Sequence, residues 1–317
     1  MTKRSLTIVF AAIVGVLPFG VAKASGDVLD PAKLRLASAN VVVYDTAAER
    51  RLYAKAADDV TPIASLTKLM TAIVVLDAKQ PMDELLEIET DDFDFLKGSH
   101  SRLRMGSTLS RREMLRLALM SSENRAASSL ARHYPGGAMA AVAAMNRKAM
   151  SLGMTRTHYA DPTGLSADNV SSANDLAKLV LVAAQYPTIR EYSTTPAHSV
   201  EIQPTGHLLG FNNSNALVKN TAWDIQLQKT GYIREAGKCL VMLTNIASRP
   251  LVIVLLDSYG KYTRLGDAQR IKHWVETGEG SSLPTTQAGR QSGTFPPRAK
   301  VAKTASRGSK TQAARRV

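Results

Sequence analysis

Three observations predict an α+β fold in which one antiparallel sheet is covered by helices. They are an alternating β-rich hairpin at residues 40–55, a succession of helical patterns from about 65 to 185, and a return to β-rich runs after about 196. A chain of 317 residues has room for one large or two modest domains. Nothing between 25 and 280 reads as a long linker, so these residues form one domain unit.

The first 24 residues stand apart. Lys3 and Arg4 precede an apolar stretch from Leu6 to Val21, and Ala22-Lys23-Ala24 is a small-x-small cleavage pattern before Ser25. This is the form of a secretory signal peptide, broken by Gly15, Pro18 and Gly20 and too short for an uncleaved anchor. The hairpin follows, with Val41-Val42-Val43-Tyr44, a polar turn, and a second run around Leu52-Tyr53. From Ser65 to Ala78 a helical stretch is apolar on nearly every side, which marks a core helix. Ser110 with Glu113 opens the next helix as a capping box, and the polar break Ser121-Ser122-Glu123-Asn124 ends it. Further helices fit 125–134, 137–151 and 173–185, the last capped by Ser172 and Asp175. Strands are expected at 199–202, 225–230, 239–246 and 251–256, and a closing helix at 266–277, beginning near Asp267.

Residues 281–317 hold eight basic and no acidic residues and a single aromatic, Phe295. Such a segment cannot bury enough apolar surface to fold and reads as a disordered basic tail. It is either an electrostatic attachment to anionic lipid or wall polymer, or a solvated extension. The formal charge of +13 could suggest nucleic acid, but three basic residues lie in the leader and eight in the tail. The 29 basic and 27 acidic residues left give the folded part about +2, and nucleic-acid binding is not expected. Cys239, the single cysteine, excludes an intrachain disulfide and sits in an apolar run as a structural thiol. The six histidines are scattered without metal-ligand spacing, so neither a metal nor another cofactor is expected.

Chemistry concentrates in three short motifs. Ser65 and Lys68, three apart at the start of a helix, lie on one face, so the lysine can serve the serine as a base. Free N–H groups at a helix's amino end can also help hold an oxyanion. A base near pH 7 requires Lys68 to be depressed from about 10.4, by burial in the apolar helix and by a second cation. Lys229-Thr230-Gly231 supplies that cation on an edge strand, where Lys229 and Gly231 face one way and the glycine admits a substrate backbone. Ser-x-Asn occurs at Ser38, Ser122 and Ser172; order along the chain and a helix-to-helix loop select Ser122 and Asn124.

Taken in order, Ser65-Leu-Thr-Lys68, Ser122-Glu-Asn124 and Lys229-Thr-Gly231 resemble the active-site motifs of penicillin-binding proteins and serine β-lactamases. The flanks at 61–77, 119–131, 161–179 and 228–241 resemble the low-molecular-weight DD-peptidases, in particular their D-alanyl-D-alanine endopeptidase branch, over about residues 35–275. The resemblance implies a penicillin-binding, β-lactamase-like transpeptidase fold with a helical subdomain. It implies acyl transfer at a D-alanyl bond of peptidoglycan stem peptides, with β-lactams as covalent inhibitors. Ser65 would attack, Lys68 take its proton, Ser122 relay a proton to the leaving amine, and Asn124 orient the lysine and substrate. Lys229 would supply positive field, Thr230 a substrate hydrogen bond, and the N–H groups of Ser65 and Tyr232 the oxyanion hole. Arg264, 35 residues beyond Lys229, would meet a terminal carboxylate, unless it is a solvated charge.

A carboxypeptidase and a β-lactamase are the alternatives. Residues 161–174 contain no glutamate for deacylation, and Asp168 is the sole substitute, so penicillin should leave slowly. A non-catalytic, penicillin-sensing module would be marked by a degenerate motif, and all three are intact. With the leader, the resemblance implies a periplasmic enzyme, peripherally attached to the membrane or wall if the tail does that work.

Overall fold

A computed structural model describes residues 29–95 and 97–281. The leader, 1–24, and the basic tail beyond Ser281 lie outside the described residues. The chain begins with β1 (Asn40–Asp45), β2 (Arg50–Lys55) and β3 (Thr61–Pro62). A 3-10 turn at Ala64–Thr67 leads directly into α1 (Lys68–Asp77). Then come β4 (Leu85–Glu87), β5 (Thr108–Ser110), α2 (Arg111–Met120), α3 (Asn124–Arg132), α4 (Gly137–Ser151), β6 (Val170–Ser171), α5 (Ala173–Ala183) and α6 (Pro187–Thr194). The last part holds β7 (Ala197–Ile202), β8 (His207–Asn212), β9 (Asp224–Ile233), β10 (Gly237–Ile246), β11 (Arg249–Ser258) and α7 (Thr263–Thr277).

Five strands pair antiparallel in the order β2-β1-β11-β10-β9, so the first hairpin docks on the last strand and β9 is left at an edge. β10 and β11 read as continuous apolar runs because both of their faces are covered. Val41, Val43, Leu240, Met242, Ile253 and Leu255 pack with Ile271 and Trp274 of α7. Their neighbours Val42, Val241, Val252 and Val254 pack with the helical block on the other face. In α1 every residue from Lys68 to Val75 is buried, as an all-round apolar helix requires.

Ser110 and Ser172 cap α2 and α5 through the N–H groups of Glu113 and Asp175. The Glu113 carboxylate does not return to its own cap; it accepts from His198 Nε2 at 2.6 Å, which fastens β7 to the head of α2. The sequence gives no sign of α6, a short polar helix opened by Pro187, or of β8, yet α6 fills the space between α2 and β9.

The closing helix starts three residues before the expected Gly266, and Asp267 does not open it. Fully buried, Asp267 accepts from Ala37 N at 3.0 Å, Ser38 N at 2.7 Å, Ser38 Oγ and Arg270, so it bolts α7 to the segment before β1. Removing one partner of such a buried network leaves the others stranded. Asp267→Ala is expected to lower unfolding free energy by about 3 kcal/mol in urea denaturation.

Candidate active site

The nucleophile turn is built at the junction of the helical block and the edge strand β9. Ala64, immediately before Ser65, has φ of +48°, in the left-handed region that a side chain disfavours. Its conformation is over-determined from both sides. Ile63 N donates to Asn169 O, Thr67 Oγ1 donates to Ala64 O, and Asn169 Nδ2 donates to Thr67 Oγ1. A Cβ on Gly231 would lie 2.9 Å from Ile63 O and 3.2 Å from Ser65 N, so β9 approaches the turn as closely as a glycine permits.

Lys68 Nζ lies 2.9 Å from Ser65 Oγ, 2.7 Å from Asn124 Oδ1 and 2.6 Å from the Thr163 carbonyl. Two of these neighbours can only accept. A neutral amine has two N–H bonds and one lone pair, so Asn124 and Thr163 take the hydrogens and the lone pair is left for the Ser65 hydroxyl. Burial lowers Lys68 from 10.5 to about 7, against Asp161 and Glu123, which raise it. Lys68 is repelled by a second buried lysine, Lys229. That lysine is held well below its usual value by burial first, then by Lys68 and Arg264. The buried pair therefore favours one positive charge over two.

Ser122, at φ +63°, projects from the turn between α2 and α3, and Lys229 Nζ donates to its Oγ at 2.8 Å and to Thr230 O at 2.8 Å. With its oxygen accepting from Lys229, the Ser122 O–H is directed elsewhere as a donor. Asn124 begins α3, and its Nδ2 donates to Ser99 Oγ at 3.0 Å, which turns Oδ1 toward Lys68. Thr230 Oγ1 donates to Ser214 Oγ at 2.7 Å, and Ser214 N is itself held by Met120 O.

Tyr232, next along β9, is exposed beside Lys238, whose Nζ lies 4.1 Å from its ring centroid. Arg264, in the first turn of α7, is not a solvated charge. Its Nη1 donates to Gly231 O at 3.0 Å and Cys239 O at 3.1 Å, and burial lowers its pKa. The structure thus brings Ser65, Lys68, Ser122, Asn124, Lys229, Thr230, Gly231, Tyr232 and Arg264 to one end of β9. The other two Ser-x-Asn pairs are elsewhere: Ser38 bonds Asp267, and Ser172 caps α5.

Sequence reasoning missed Thr163, Ser99, Ser214 and Asp161. Asp161 Oδ1 accepts from Thr163 N, Thr163 Oγ1 and Gly164 N at 2.6, 2.6 and 2.8 Å, and Oδ2 accepts from Ser166 N at 2.8 Å. The Asp-Pro-Thr-Gly turn chemistry at 161–164 was the signal that could have found this loop. Asp168, the substitute considered for a deacylating acid, is exposed on the same loop. Cys239 is buried and Sγ contacts Ala236 O, and no metal-binding cluster occurs among the described residues.

A D-alanyl-D-alanine endopeptidase of Pseudomonas aeruginosa is 51% identical over 254 residues, 80% of this chain and 82% of that protein. The crystal structure of the Streptomyces K15 DD-transpeptidase superposes with a TM-score of 0.71 at 27% identity, covering 77% of this chain and 98% of that one. Penicillin-binding protein D2 of Listeria monocytogenes, in its ampicillin-bound form, gives 0.66 at 28% identity over 76% and 98%. The sheet between α7 and the helical block is thus the α+β fold of the DD-peptidases. Residues 27–260 match the peptidase family S11, D-alanyl-D-alanine carboxypeptidase. That match, with the 51% identity to the endopeptidase above, places the chain in this family as a serine DD-peptidase.

Proposed function

We propose that the enzyme is a D-alanyl-D-alanine endopeptidase that opens peptidoglycan cross-links. The observation that carries its chemistry is the 2.9 Å contact between Ser65 Oγ and a Lys68 whose two hydrogens are taken by Asn124 and Thr163. Ser65 attacks the D-alanyl carbonyl while its proton passes to Lys68 Nζ. The N–H groups of Ser65 and Tyr232 receive the oxyanion, Thr230 and Arg264 face the carboxylate beside the scissile bond, and Ser122 relays the proton held on Lys68 to the departing amine, which leaves Lys68 neutral again. Water then releases the acyl group, with Lys68 again as base.

The choice of cross-links over terminal D-alanine rests on the 51% relative named an endopeptidase. β-Lactams acylate Ser65, a reading supported by the relative described in its ampicillin-bound form, and they leave slowly because residues 161–174 hold no glutamate and the substitute, Asp168, is exposed. The leader directs the enzyme to the periplasm, and the basic tail attaches it to anionic membrane or wall.

Digestion of purified sacculi tests the assignment. Cross-linked dimers are expected to disappear with the wild type and to persist with Ser65→Ala. Loss of terminal D-alanine from pentapeptide monomers alone would refute it in favour of a carboxypeptidase. Rapid turnover of nitrocefin would point to a β-lactamase.

A further inference from the structure

Past the active serine, the edge of the sheet carries a second group of cations. The period of two along β9 puts Thr230 and Tyr232 on the face covered by α7, while Lys229 and Gly231 look toward the nucleophile turn. Lys238 stands opposite Tyr232 in the β9–β10 register and shares that face. Lys261, in the turn before α7, has its Nζ 5.2 Å from the Tyr262 ring centroid. Arg264 follows one helical residue later and grips the Gly231 carbonyl.

Tyr232, Tyr259 and Tyr262 are 60%, 65% and 65% exposed, an unusual density of open aromatic surface beside a catalytic edge. Lys238 pairs with Ser258 in the β10–β11 register, three residues before Lys261, and the carbonyl of its neighbour Cys239 is held by Arg264, so the three cations gather at one corner of the sheet; Lys238 is lowered by burial and then by Arg264 and Lys261. Of the acids on this side of the sheet, Glu235 pairs with Lys97 at 2.5 Å, and Asp257 lies against the backbone of Gly237. Concentrating three like charges costs free energy unless an anion joins them.

We propose that Lys238 and Lys261, flanked by Tyr232 and Tyr262, form an anion subsite for a carboxylate on the departing half of the substrate. This lies one step beyond the carboxylate that Thr230 and Arg264 face. The inference rests on the endopeptidase reading, because only a cross-link has a departing half large enough to carry a further carboxylate; free D-alanine has one. Ammonium groups backed by rings present N–H donors to a carboxylate while their stems stay against apolar surface. Because neither lysine touches the reacting atoms, the subsite acts on KM and leaves kcat alone.

The test compares a cross-linked peptide dimer with the same dimer whose departing stem carries carboxamides in place of its more distant carboxylates. The wild type is expected to favour the carboxylate form about tenfold in kcat/KM, through KM, and less so at high salt. In Lys238→Gln/Lys261→Gln the preference should shrink to about twofold or less, with penicillin labelling of Ser65 at the wild-type rate showing an intact fold. A wild type that cleaves both dimers equally, or a double variant that keeps the preference, overturns the subsite alone. A wild type that cleaves neither dimer overturns the endopeptidase reading and the subsite with it.

Discussion

Lys68→Arg is expected to slow acylation of Ser65 by penicillin by a factor on the order of 100 to 10,000, the range that general-base catalysis supplies. A guanidinium stays protonated at every working pH, so it fills the site without offering a lone pair. In the wild type the base exists once the Lys68 ammonium loses its proton, at about pH 7. The labelling rate should therefore climb as pH rises from 5 to 8 and level off above the midpoint, and the arginine variant should lack this limb. A variant labelled at the wild-type rate would make Lys68 structural. Lys68→Met separates chemistry from stability. Since the folded pKa lies below the unfolded one, the folded state binds fewer protons, and holding the lysine at about 7 makes folding at neutral pH about 4 kcal/mol less favourable. Methionine removes that cost but strands the Asn124 and Thr163 acceptors, at about 1–3 kcal/mol each. The inactive variant should thus stay within about 2 kcal/mol of the wild type at pH 7 and lose stability relative to it as pH rises toward the unfolded value.

Gly164→Ala should have an effect of similar size from a residue with no functional group. Its φ is +84°, and a Cβ there would lie 2.0 Å from Ala64 O, 2.3 Å from Ala64 C and 2.8 Å from Ser65 N. All three are backbone atoms of the nucleophile turn, so the turn or the Asp161 loop has to move. A displacement of about 1 Å in a reacting group is worth roughly 100-fold, and labelling of Ser65 is expected to fall by at least that factor. Overpacking and backbone strain should together lower stability by about 2–4 kcal/mol. Gly153→Ala is the control: it has φ of +65° with nothing within 4 Å of the added carbon. It should lose about 1–2 kcal/mol from strain alone and label normally.

What the sequence disclosed follows from how each residue acts. Ser65, Lys68, Ser122, Asn124 and Lys229 act through side chains at fixed spacings, so their motifs could be picked out and the chain order could choose among three Ser-x-Asn pairs. The hairpin at 40–55 and the caps at Ser110 and Ser172 were equally plain, since period and capping chemistry are local. Thr163 acts through its carbonyl, which its side chain does not announce. Ser99 and Ser214 matter only because distant segments bring them to Asn124 and Thr230. The short helix α6 buries only Ile189, Tyr192 and Ser193, too few to announce a period, and Gln228, 35 residues on, donates to the Ser193 carbonyl to help hold it. Asp161 and Glu123 hold Lys68 up against its burial, and their nearness is a tertiary fact.

The three hydrogen-bond partners of Lys68 Nζ come from residues 65, 124 and 163, and the strand closing the site arrives only at 229. In an unfolded chain that lysine is an ordinary ammonium and Ser65 an ordinary alcohol. Reactivity is therefore a property of the finished tertiary structure, absent from every fragment that precedes it. A serine DD-peptidase built in this order is inert until folding is complete, and its activation event is the docking of its last strands.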